Sequence, residues 1–313
     1  MSLDSSGNPL RVLVTGAAGF LGQHVLPALL AKGHRIVAVQ NRTQLSAEIR
    51  ERCDRVVSGD VTDPEVQADA LQGADVVCHL AAHLPKSYAG LEAATRCYSM
   101  NALATLNLAT AAAQTGVRQF VHFSTANMYA QAARPCGEAD SLFPIEYATS
   151  YMVSKLASEI YLLNISRASS MEAAILRVGS VYGPGEPGNK LVPTLLTQAS
   201  QGRPLRLVNG GSAKYNFVHV SDVADLAAQL IGSNNQGIYN VASGEHSSLL
   251  DLARAVLALY PTANSAVEAE PPTPGAFSGF SPVSIEKAAR QFRFSPRSLA
   301  DGLRDYIEER SPS

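Results

Sequence analysis

A short apolar strand that runs directly into three evenly spaced glycines is the feature that most limits how this 313-residue chain can fold. The run 12–15 is followed by Gly16, Gly19 and Gly22, and an Ala/Leu-rich stretch then continues to Gly33. Glycines let the backbone turn sharply and approach a pyrophosphate, while the N–H groups and the dipole of the next helix favour negative charge. The spacing predicts a dinucleotide-binding turn, with a plain glycine-rich strand–helix turn as the alternative.

The first half of the chain alternates apolar runs rich in β-branched residues with longer Ala/Leu-rich stretches. This alternation is typical of parallel strands joined by crossover helices. It predicts an α/β fold with a Rossmann-type, doubly wound parallel sheet. The predicted strands are 11–15, 35–39, 55–57, 75–80, 120–124 and 173–178, and the predicted helices are 22–32, 101–116 and 150–166.

Prolines and glycines break up this pattern after Gly183. Two later apolar runs, 217–220 and 237–241, have the composition of strands that return to the first domain. We therefore expect a dinucleotide-binding domain of residues 1–183, joined by 217–242. Residues 184–216 and 243–313 are expected to form a smaller, mixed C-terminal substrate lobe, and a chain of this length is sufficient for both.

The composition argues against several classes of partner. Lys and Arg number 25 and Asp and Glu 27, so the net charge of −2 gives no broad footprint for nucleic acid or an anionic membrane. The four cysteines are far apart and have no histidines at ligand spacing, which argues against a disulfide framework and predicts no metal site. The polar N-terminus and the lack of an apolar run near the roughly 20 residues that span a bilayer predict a cytoplasmic protein with a small-molecule partner.

The end of the second predicted strand decides between dinucleotides. A carboxylate there binds the ribose 2′-hydroxyl of NAD, whereas an arginine accepts the 2′-phosphate of NADP. Because Asn41 and Arg42 stand there instead of a carboxylate, NADP(H) is favoured over NAD(H), with a solvated surface arginine as the alternative. Asp60, just before Val61, follows the third strand, where it can accept from the adenine amino group or cap the next segment.

Tyr151 and Lys155 are four residues apart on a predicted helix and therefore project from one face. A nearby ammonium and the positive nicotinamide ring favour tyrosinate, which can exchange a proton with a hydroxyl or carbonyl during hydride transfer. Taken alone, a tyrosine and a lysine four residues apart are more typical of a solvated helix face. Ser124 and Thr125, at the end of an apolar strand, add hydroxyls that can bond the reacting oxygen and so favour the catalytic interpretation.

Taken together, these motifs resemble the extended short-chain dehydrogenase/reductases, also called the NAD-dependent epimerase/dehydratase family. The resemblance spans nearly the whole chain and implies that Tyr151 is the general acid/base, that Lys155 lowers its pKa and holds the nicotinamide ribose, and that Thr125 rather than Ser124 bonds the reacting oxygen. It also implies a homodimer through paired helices. It rests on the segments 15–22, 79–82, 123–129, 151–155, 177–184 and 217–224 with Asp60 and Asn101.

The turn, the strand ends and the catalytic helix supply the expected contacts of a bound dinucleotide and substrate. Asn101 is expected to give structural support, with a proton-relay role as the alternative, and His79 and His219 are expected to be packed core residues. A solvated loop is an equal alternative for His83. The expected cofactor contacts are Gly16, Gly19, Phe20, Leu21, Gly22, Asn41, Arg42, Asp60, Val61, Leu80, Ala81, Ala82, Tyr151, Lys155 and Val178. The expected substrate contacts are His83, Thr125, Asn127, Ser180 and Tyr215.

Two departures from the family's patterns narrow the reaction. Sugar-nucleotide dehydratases have an Asp–Glu pair directly after the catalytic threonine, whereas this chain has Ala126 and Asn127, which argues against dehydration. Many sugar-nucleotide enzymes have asparagine where Ser180 stands and arginine where Tyr215 stands. An arginine at position 215 would bind a diphosphate through two parallel hydrogen bonds. Its absence argues against a nucleotide-sugar substrate, because the nearby Lys214 and Arg206 replace it less well.

The sequence therefore predicts an NAD(P)-dependent oxidoreductase that interconverts a secondary alcohol and a ketone, such as a keto-sugar or a related polar carbonyl compound. An NAD-dependent sugar or nucleotide-sugar epimerase is the alternative, because oxidation and re-reduction of one carbon need the same residues. A non-catalytic dinucleotide-binding protein is a third hypothesis. The presence of both Tyr151 and Lys155 argues against it, since such relatives typically lose this pair.

Overall fold

The computed structural model describes residues 9–86, 90–142, 149–261 and 264–310. These residues cluster into two compact units. The first contains the described residues of Met1–Thr125, Pro144–Arg177 and Ala224–Tyr239, and the second those of Ala126–Phe143, Val178–Val223 and Asn240–Ser313. Among the described residues, we find no helix with the length and apolar character that crossing a membrane requires.

Strands and helices alternate along most of the chain. The strands are β1 (Arg11–Thr15), β2 (Arg35–Gln40), β3 (Arg55–Ser58), β4 (Val76–His79), β5 (Gln119–Thr125), β6 (Glu172–Val178), β7 (Ser180–Tyr182), β8 (Leu205–Leu207), β9 (Lys214–Tyr215), β10 (Phe217–His219), β11 (Gly237–Val241), β12 (Ser247–Ser248) and β13 (Val267–Ala269). The helices are α1 (Phe20–Ala31), α2 (Ala47–Glu51), α3 (Pro64–Ala70), α4 (Leu91–Cys97), α5 (Ala104–Gln114), α6 (Ser150–Arg167), α7 (Leu191–Ser200), α8 (Val220–Leu230), α9 (Leu249–Ala258), α10 (Glu286–Phe292) and α11 (Leu299–Arg310). A π-helical turn, Tyr98–Leu103, joins α4 to α5, and a short 3-10 turn spans Asn209–Gly211.

Seven strands form one sheet in the order β11–β6–β5–β4–β1–β2–β3, so the strand order reverses beside β1. The pairings from β3 to β5 are parallel, and their register places Thr15 beside His79 and His79 beside His122. The predicted doubly wound, Rossmann-type sheet is therefore confirmed. Ligands of such sheets bind at the carboxyl ends of the strands where the order reverses, which is the edge where Thr15 and His79 lie.

Both faces of this sheet are covered, which explains why its strands read as continuous apolar runs. Leu13 and Phe120 pack in one cluster with residues of α5 and α6, including Leu108. Val12 and Val14 are equally buried but point to the opposite face, because successive strand residues alternate. Helix α1 packs on β1 and β2 and has its own buried apolar residues outside that cluster.

The second unit has a separate core and three two-stranded ladders. β7 pairs with β10 and β8 with β13 in parallel, whereas β9 pairs with β12 in antiparallel orientation. Helices α7, α9 and α11 bury Leu196, Leu252 and Leu303 in one cluster with Phe217. The second unit therefore contains both helices and short strands.

The sequence predicts that residues 217–242 all join the first domain, and the structure differs on this point. β11 joins the large sheet, but β10 pairs with β7. The reason lies at Gly179, where a Cβ atom would collide with the Asn216 carbonyl oxygen. Without that side chain the two segments approach closely, and the Ser180 amide donates to the same carbonyl at 2.8 Å.

Candidate active site

The glycine turn after β1 forms a cradle that side chains would fill. Gly16 has a φ of +68°, a left-handed conformation that favours glycine, and a Cβ there would lie 2.7 Å from the Ala81 amide nitrogen. A Cβ on Gly22 would collide with backbone carbonyl oxygens of the same turn. Helix α1 then begins at Phe20 with no side-chain cap and no acidic residue in its first turn. An anionic pyrophosphate fits this arrangement, since helix N-termini attract anions.

The carboxyl end of β2 is held by side-chain hydrogen bonds. Asn41 Nδ2 donates to Asp60 Oδ2 at 3.1 Å, and Asp60 Oδ1 accepts from the Thr62 amide at 2.9 Å. Burial acts to raise the pKa of Asp60, but the hydrogen bonds from Thr62 and Asn41 and the charge of Arg42 lower it below its ordinary value. Asp60 therefore bonds the turn that follows β3 and also fixes Asn41, whereas Asp63 caps α3 and the Arg42 side chain is exposed.

A hydrogen-bond chain crosses the sheet edge next to the glycine turn. His79 Nδ1 lies 2.7 Å from Thr15 Oγ1, and His79 Nε2 lies 2.9 Å from Thr105 Oγ1. Because Thr105 donates its own proton to the Asn101 carbonyl at 2.7 Å, we assign the ring proton to Nε2, and Nδ1 then accepts from Thr15. The Ala81 amide donates to Thr15 Oγ1 at 3.3 Å. These bonds connect the strand ends to the helical segment that contains Asn101.

Asn101 lies in the π-helical turn, a distortion that is frequent at functional sites. Its Oδ1 accepts from the His83 amide at 2.6 Å, and its Nδ2 donates to the His83 carbonyl and to Ser154 Oγ, each at 3.0 Å. Ser154 Oγ in turn donates to the Tyr151 carbonyl at 2.8 Å. The side chain therefore ties the loop that contains His83 to the first turn of α6.

Helix α6 begins immediately before the two residues that the spacing singled out. Thr149 Oγ1 accepts from the Met152 amide at 3.2 Å and caps the helix. Tyr151 and Lys155 then follow at an interval of one turn, with Glu159 one turn further along the same face. Lys155 is only 3% exposed, whereas Tyr151 is partly exposed.

The surroundings of Lys155 contain one fixed carboxylate and two neutral imidazoles. Burial lowers the pKa of Lys155 to about 8, while the charge of Glu159 acts in the opposite direction. The Glu159 carboxylate accepts from Arg177 at 2.7 Å, and both side chains are buried. Burial, and then the charge of Lys155, lower the pKa of His79 to about 3 and that of His122 well below its ordinary range.

Sequence reasoning missed His122, Ser158 and Glu159, and it named Ser124 only as a hydroxyl beside Thr125. His122 Nε2 lies 2.8 Å from Ser158 Oγ, which donates to the Lys155 carbonyl at 2.6 Å. The Ser124 hydroxyl is buried and has no hydrogen-bond partner among the residues that the structure describes. The available signal was polar residues at 122 and 124 alternating with apolar Phe123 inside the predicted strand 120–124.

The predicted contacts are divided between the two units. The first unit contains Thr125, His83 and every predicted cofactor contact except Val178. The second contains Val178, Asn127, Ser180 and Tyr215. In the first unit, Thr125 and Val61 are buried, Leu80, Ala81 and His83 are partly buried, and Ala82 is exposed.

A doubly wound sheet with a glycine turn after β1, at the edge where the strand order reverses, is typical of dinucleotide-binding enzymes. The model of the NAD dependent epimerase/dehydratase family matches residues 12–242. The chain belongs to this family, which confirms the resemblance inferred from its motifs, and it is an NAD(P)-dependent enzyme of the oxidoreductase and epimerase type.

Individual relatives cover most of the chain. It is 28% identical to dTDP-glucose 4,6-dehydratase of Streptomyces niveus, over 96% of this chain and 92% of the relative. It is 30% identical to 2-alkyl-3-oxoalkanoate reductase of Stenotrophomonas maltophilia, over 80% of this chain and 75% of the relative. The solved structure of MoeE5 in complex with UDP-glucose and NAD matches with a TM-score of 0.81 and 28% identity, over 95% of this chain and 97% of that one.

The buried ammonium leads to a stability prediction. An unfolded lysine titrates near 10.4, so burying Lys155 with a pKa of about 8 destabilises the folded chain at neutral pH by about 3 kcal/mol. Lys155→Met keeps the length of the side chain and should raise the free energy of unfolding at pH 7 by about 2–3 kcal/mol. This gain should shrink as the pH rises above about 8, because the unfolded wild-type chain then binds more protons than the folded one.

Urea unfolding at neutral and at alkaline pH measures both effects. Lys86→Met, at an exposed lysine of the same unit, is the control and should change the free energy of unfolding by less than about 0.5 kcal/mol. A less stable Lys155→Met protein at neutral pH, or a gain that does not depend on pH, would contradict this account of Lys155.

Proposed function

We propose that the chain is a reductase that prefers NADP(H) and interconverts a ketone and a secondary alcohol, with Tyr151, Lys155 and Thr125 as its catalytic residues. The observation that carries this proposal is the helix face of Tyr151 and Lys155, whose first turn is tied through Ser154 and Asn101 to the strand ends beside the glycine turn. The 30% identical relative named as a reductase supports the reaction class.

Each residue has a distinct role in this proposal. The bound dinucleotide supplies or accepts hydride. During reduction the Tyr151 hydroxyl gives its proton to the carbonyl oxygen of the substrate, and during oxidation the tyrosinate takes it back. The Lys155 ammonium favours the ionised form of Tyr151 through its charge. The Thr125 hydroxyl bonds the same substrate oxygen and holds it toward Tyr151.

The residues after Thr125 argue against dehydration, although one relative carries the name of a dehydratase. Elimination of water needs a further acid and base near the reacting carbons. Ala126 and Asn127 stand at those positions, and neither side chain titrates in the ordinary pH range. Interconversion of an alcohol and a ketone needs no additional proton-transfer group.

An NAD-dependent epimerase is the second candidate, and the NAD and UDP-glucose bound to MoeE5 favour it. An epimerase returns the hydride to the same substrate, so it consumes no free cofactor and retains NAD through purification. A reductase consumes free NADPH and exchanges it in every turnover. Net loss of NADPH absorbance therefore separates the two reactions.

The catalytic role of Tyr151 is tested by Tyr151→Phe. We expect NADPH oxidation with ketones to fall by about 10²–10⁴-fold, because the proton donor is lost. The affinity for NADPH, measured by fluorescence titration, should stay within about twofold. Tyr161→Phe, on the same helix and exposed, is the matched control and should keep full turnover. Unchanged turnover in Tyr151→Phe would exclude the proposed mechanism.

The preference for NADP(H) depends on Arg42 at the end of β2. Arg42→Ala should weaken NADPH binding by about 10–100-fold, because a charge-assisted hydrogen bond to the 2′-phosphate is lost, and should leave NADH binding unchanged. Arg52→Ala, at another exposed arginine of the same unit, should change neither affinity. Equal effects of Arg42→Ala on both cofactors, or a wild-type preference for NADH, would overturn the assignment and favour the epimerase.

We also propose that the chain forms a homodimer through α4, the π-helical turn and α6. These segments pack on one another and expose large apolar side chains, among which Leu91 is 83% and Tyr98 is 55% exposed. Exposed apolar surface of this kind marks protein–protein interfaces, and a twofold axis lets one patch cover its own copy. The exposed apolar residues are Leu91, Tyr98, Leu103, Val153, Ile160 and Tyr161.

Sedimentation equilibrium tests the dimer. Ile160→Glu should give a monomer, because a charge in the centre of an apolar interface must be buried without a partner. Val208→Glu, at an equally exposed apolar residue of the second unit, should leave the dimer intact. A monomeric wild type, or a dimeric Ile160→Glu protein, would contradict the proposed interface.

A further inference from the structure

Three adjacent strands of the large sheet begin with an arginine. β1 begins at Arg11, β2 at Arg35 and β3 at Arg55. Arg11 is the register partner of Arg35, and Arg55 is that of Val37, two residues after Arg35. Because register partners share a face and side chains repeat at every second residue, the three arginines project from one face at the amino-terminal edge of the sheet. This edge is opposite to the one at which the glycine turn follows β1.

Together these arginines line a cleft of about 510 Å³ in the first unit. This volume is within the range of about 300–1,000 Å³ that is usual for small-molecule sites. Val37 is the only apolar side chain among the described residues that line it, and none of them is aromatic. The cleft therefore suits a charged ligand better than an apolar one. We refer to its lining residues as the arginine cleft: Arg11, Arg35, Val37, Asp54, Arg55, Gln72 and Gly73.

The Arg11 side chain is held against the turn that follows α3. Gly73, in this turn, has a φ of +69°, and a Cβ atom there would lie 2.6 Å from Arg11 Nη1. The Arg11 amide donates to Asp75 Oδ2 at 2.8 Å, which fixes the first residue of β1. Within the part of the chain that the structure describes, Arg11 Nε is buried and has no hydrogen-bond partner. An incompletely paired guanidinium in a fixed position favours a nearby anion.

Two carboxylates pair with the three arginines but do not neutralise all of them. Asp54 accepts from Arg35 Nη2 at 2.6 Å and from Arg11 Nη2 at 3.3 Å. Asp69 accepts from Arg55 Nη1 at 2.6 Å. Three guanidiniums against two carboxylates leave one formal positive charge, and each guanidinium has five N–H donors. The Arg35 side chain is 51% exposed, so a ligand can reach its donors.

We propose that the arginine cleft binds a compact anion with two or more linked phosphate groups. Guanidinium groups bind phosphate through paired hydrogen bonds. Because Asp54 already supplies a carboxylate to two of the arginines, the ligand must offer more charge and more acceptor oxygens than a carboxylate, as a phosphate group does. A nucleotide base adds little, since the lining has no aromatic ring on which it can stack. This site lies at the opposite edge of the sheet from the glycine turn and does not depend on the proposed reaction.

Calorimetric titration with inorganic pyrophosphate in magnesium-free buffer tests this site. The protein is first saturated with whichever of NADPH and NADH binds more tightly, so that the glycine turn is occupied. We expect one equivalent of pyrophosphate to bind, with an affinity that falls as the NaCl concentration rises, because the contacts are between charges. ADP, which adds a base, and citrate, which offers only carboxylates, should bind no more tightly than pyrophosphate.

Substitutions with opposite effects separate the arginine cleft from general surface charge. Arg35→Gln should weaken pyrophosphate binding about tenfold, because charge-assisted hydrogen bonds are lost. Asp54→Asn should strengthen it about three- to tenfold, because the competing carboxylate is removed. Arg52→Gln and Glu51→Gln, at exposed residues outside the cleft, change the net charge by the same amounts and should alter the affinity by less than about twofold. All four variants should keep the wild-type affinity for the dinucleotide.

A single pyrophosphate site that is weakened by Arg35→Gln and strengthened by Asp54→Asn supports the proposal. Absence of pyrophosphate binding to the dinucleotide-saturated protein would overturn it. An unchanged affinity in Arg35→Gln, or a gain in Glu51→Gln as large as that in Asp54→Asn, would also overturn it, since either result indicates binding through overall charge. Tighter binding of ADP or citrate than of pyrophosphate would refute the assignment to a phosphate anion without a base.

Discussion

The removal of the Lys155 ammonium from water is the constraint on which the arrangement around α6 depends. An ammonium in an apolar interior tends to lose its proton, and burial lowers the pKa of Lys155 to about 8. Glu159 limits this effect through its charge, one turn further along the helix. Its carboxylate is itself held by Arg177, so the negative charge has a fixed position. The stability lost by burying Lys155 is consistent with a residue retained for chemistry.

The same constraint requires the neighbouring histidines to be neutral, because a second cation would repel Lys155. Hydroxyl groups on two helices favour this state. Thr105 and Ser158 each donate to a backbone carbonyl of their own helix, so each can only accept from a histidine Nε2–H. Both His79 and His122 are thereby held as the neutral Nε2–H tautomer. These polar side chains can therefore lie inside a buried parallel sheet at a low cost in free energy, since most of their polar groups are hydrogen-bonded.

The parts of the structure that local pattern determines were predictable. The buried strands read as β-branched runs because both faces of the sheet are covered, and the glycines are required by the close approach of Gly16 to Ala81. The π-helical turn at Tyr98–Leu103 was not predictable, because one inserted residue barely changes a helical apolar pattern. The pair of Glu159 and Arg177 joins a helix to a strand, and no local spacing indicates such a contact. The pairing of β10 with β7 likewise depends on a tertiary contact at Gly179.

The sequence alone does not identify the substrate. The residues that carry out the proposed reaction and those that select its ligands are under different constraints. Tyr151 and Lys155 lie on a helix that buried hydrogen bonds tie to neighbouring segments, and they are recognisable in the sequence by their fixed spacing. Arg42, the residue proposed to select the cofactor, lies on an exposed segment where many residue types are tolerated. Tyr215 could be read from the sequence only as the loss of an arginine. In the structure Tyr215 stacks on Phe217 and meets Phe280 edge-on, and no local spacing in the sequence indicates this packing.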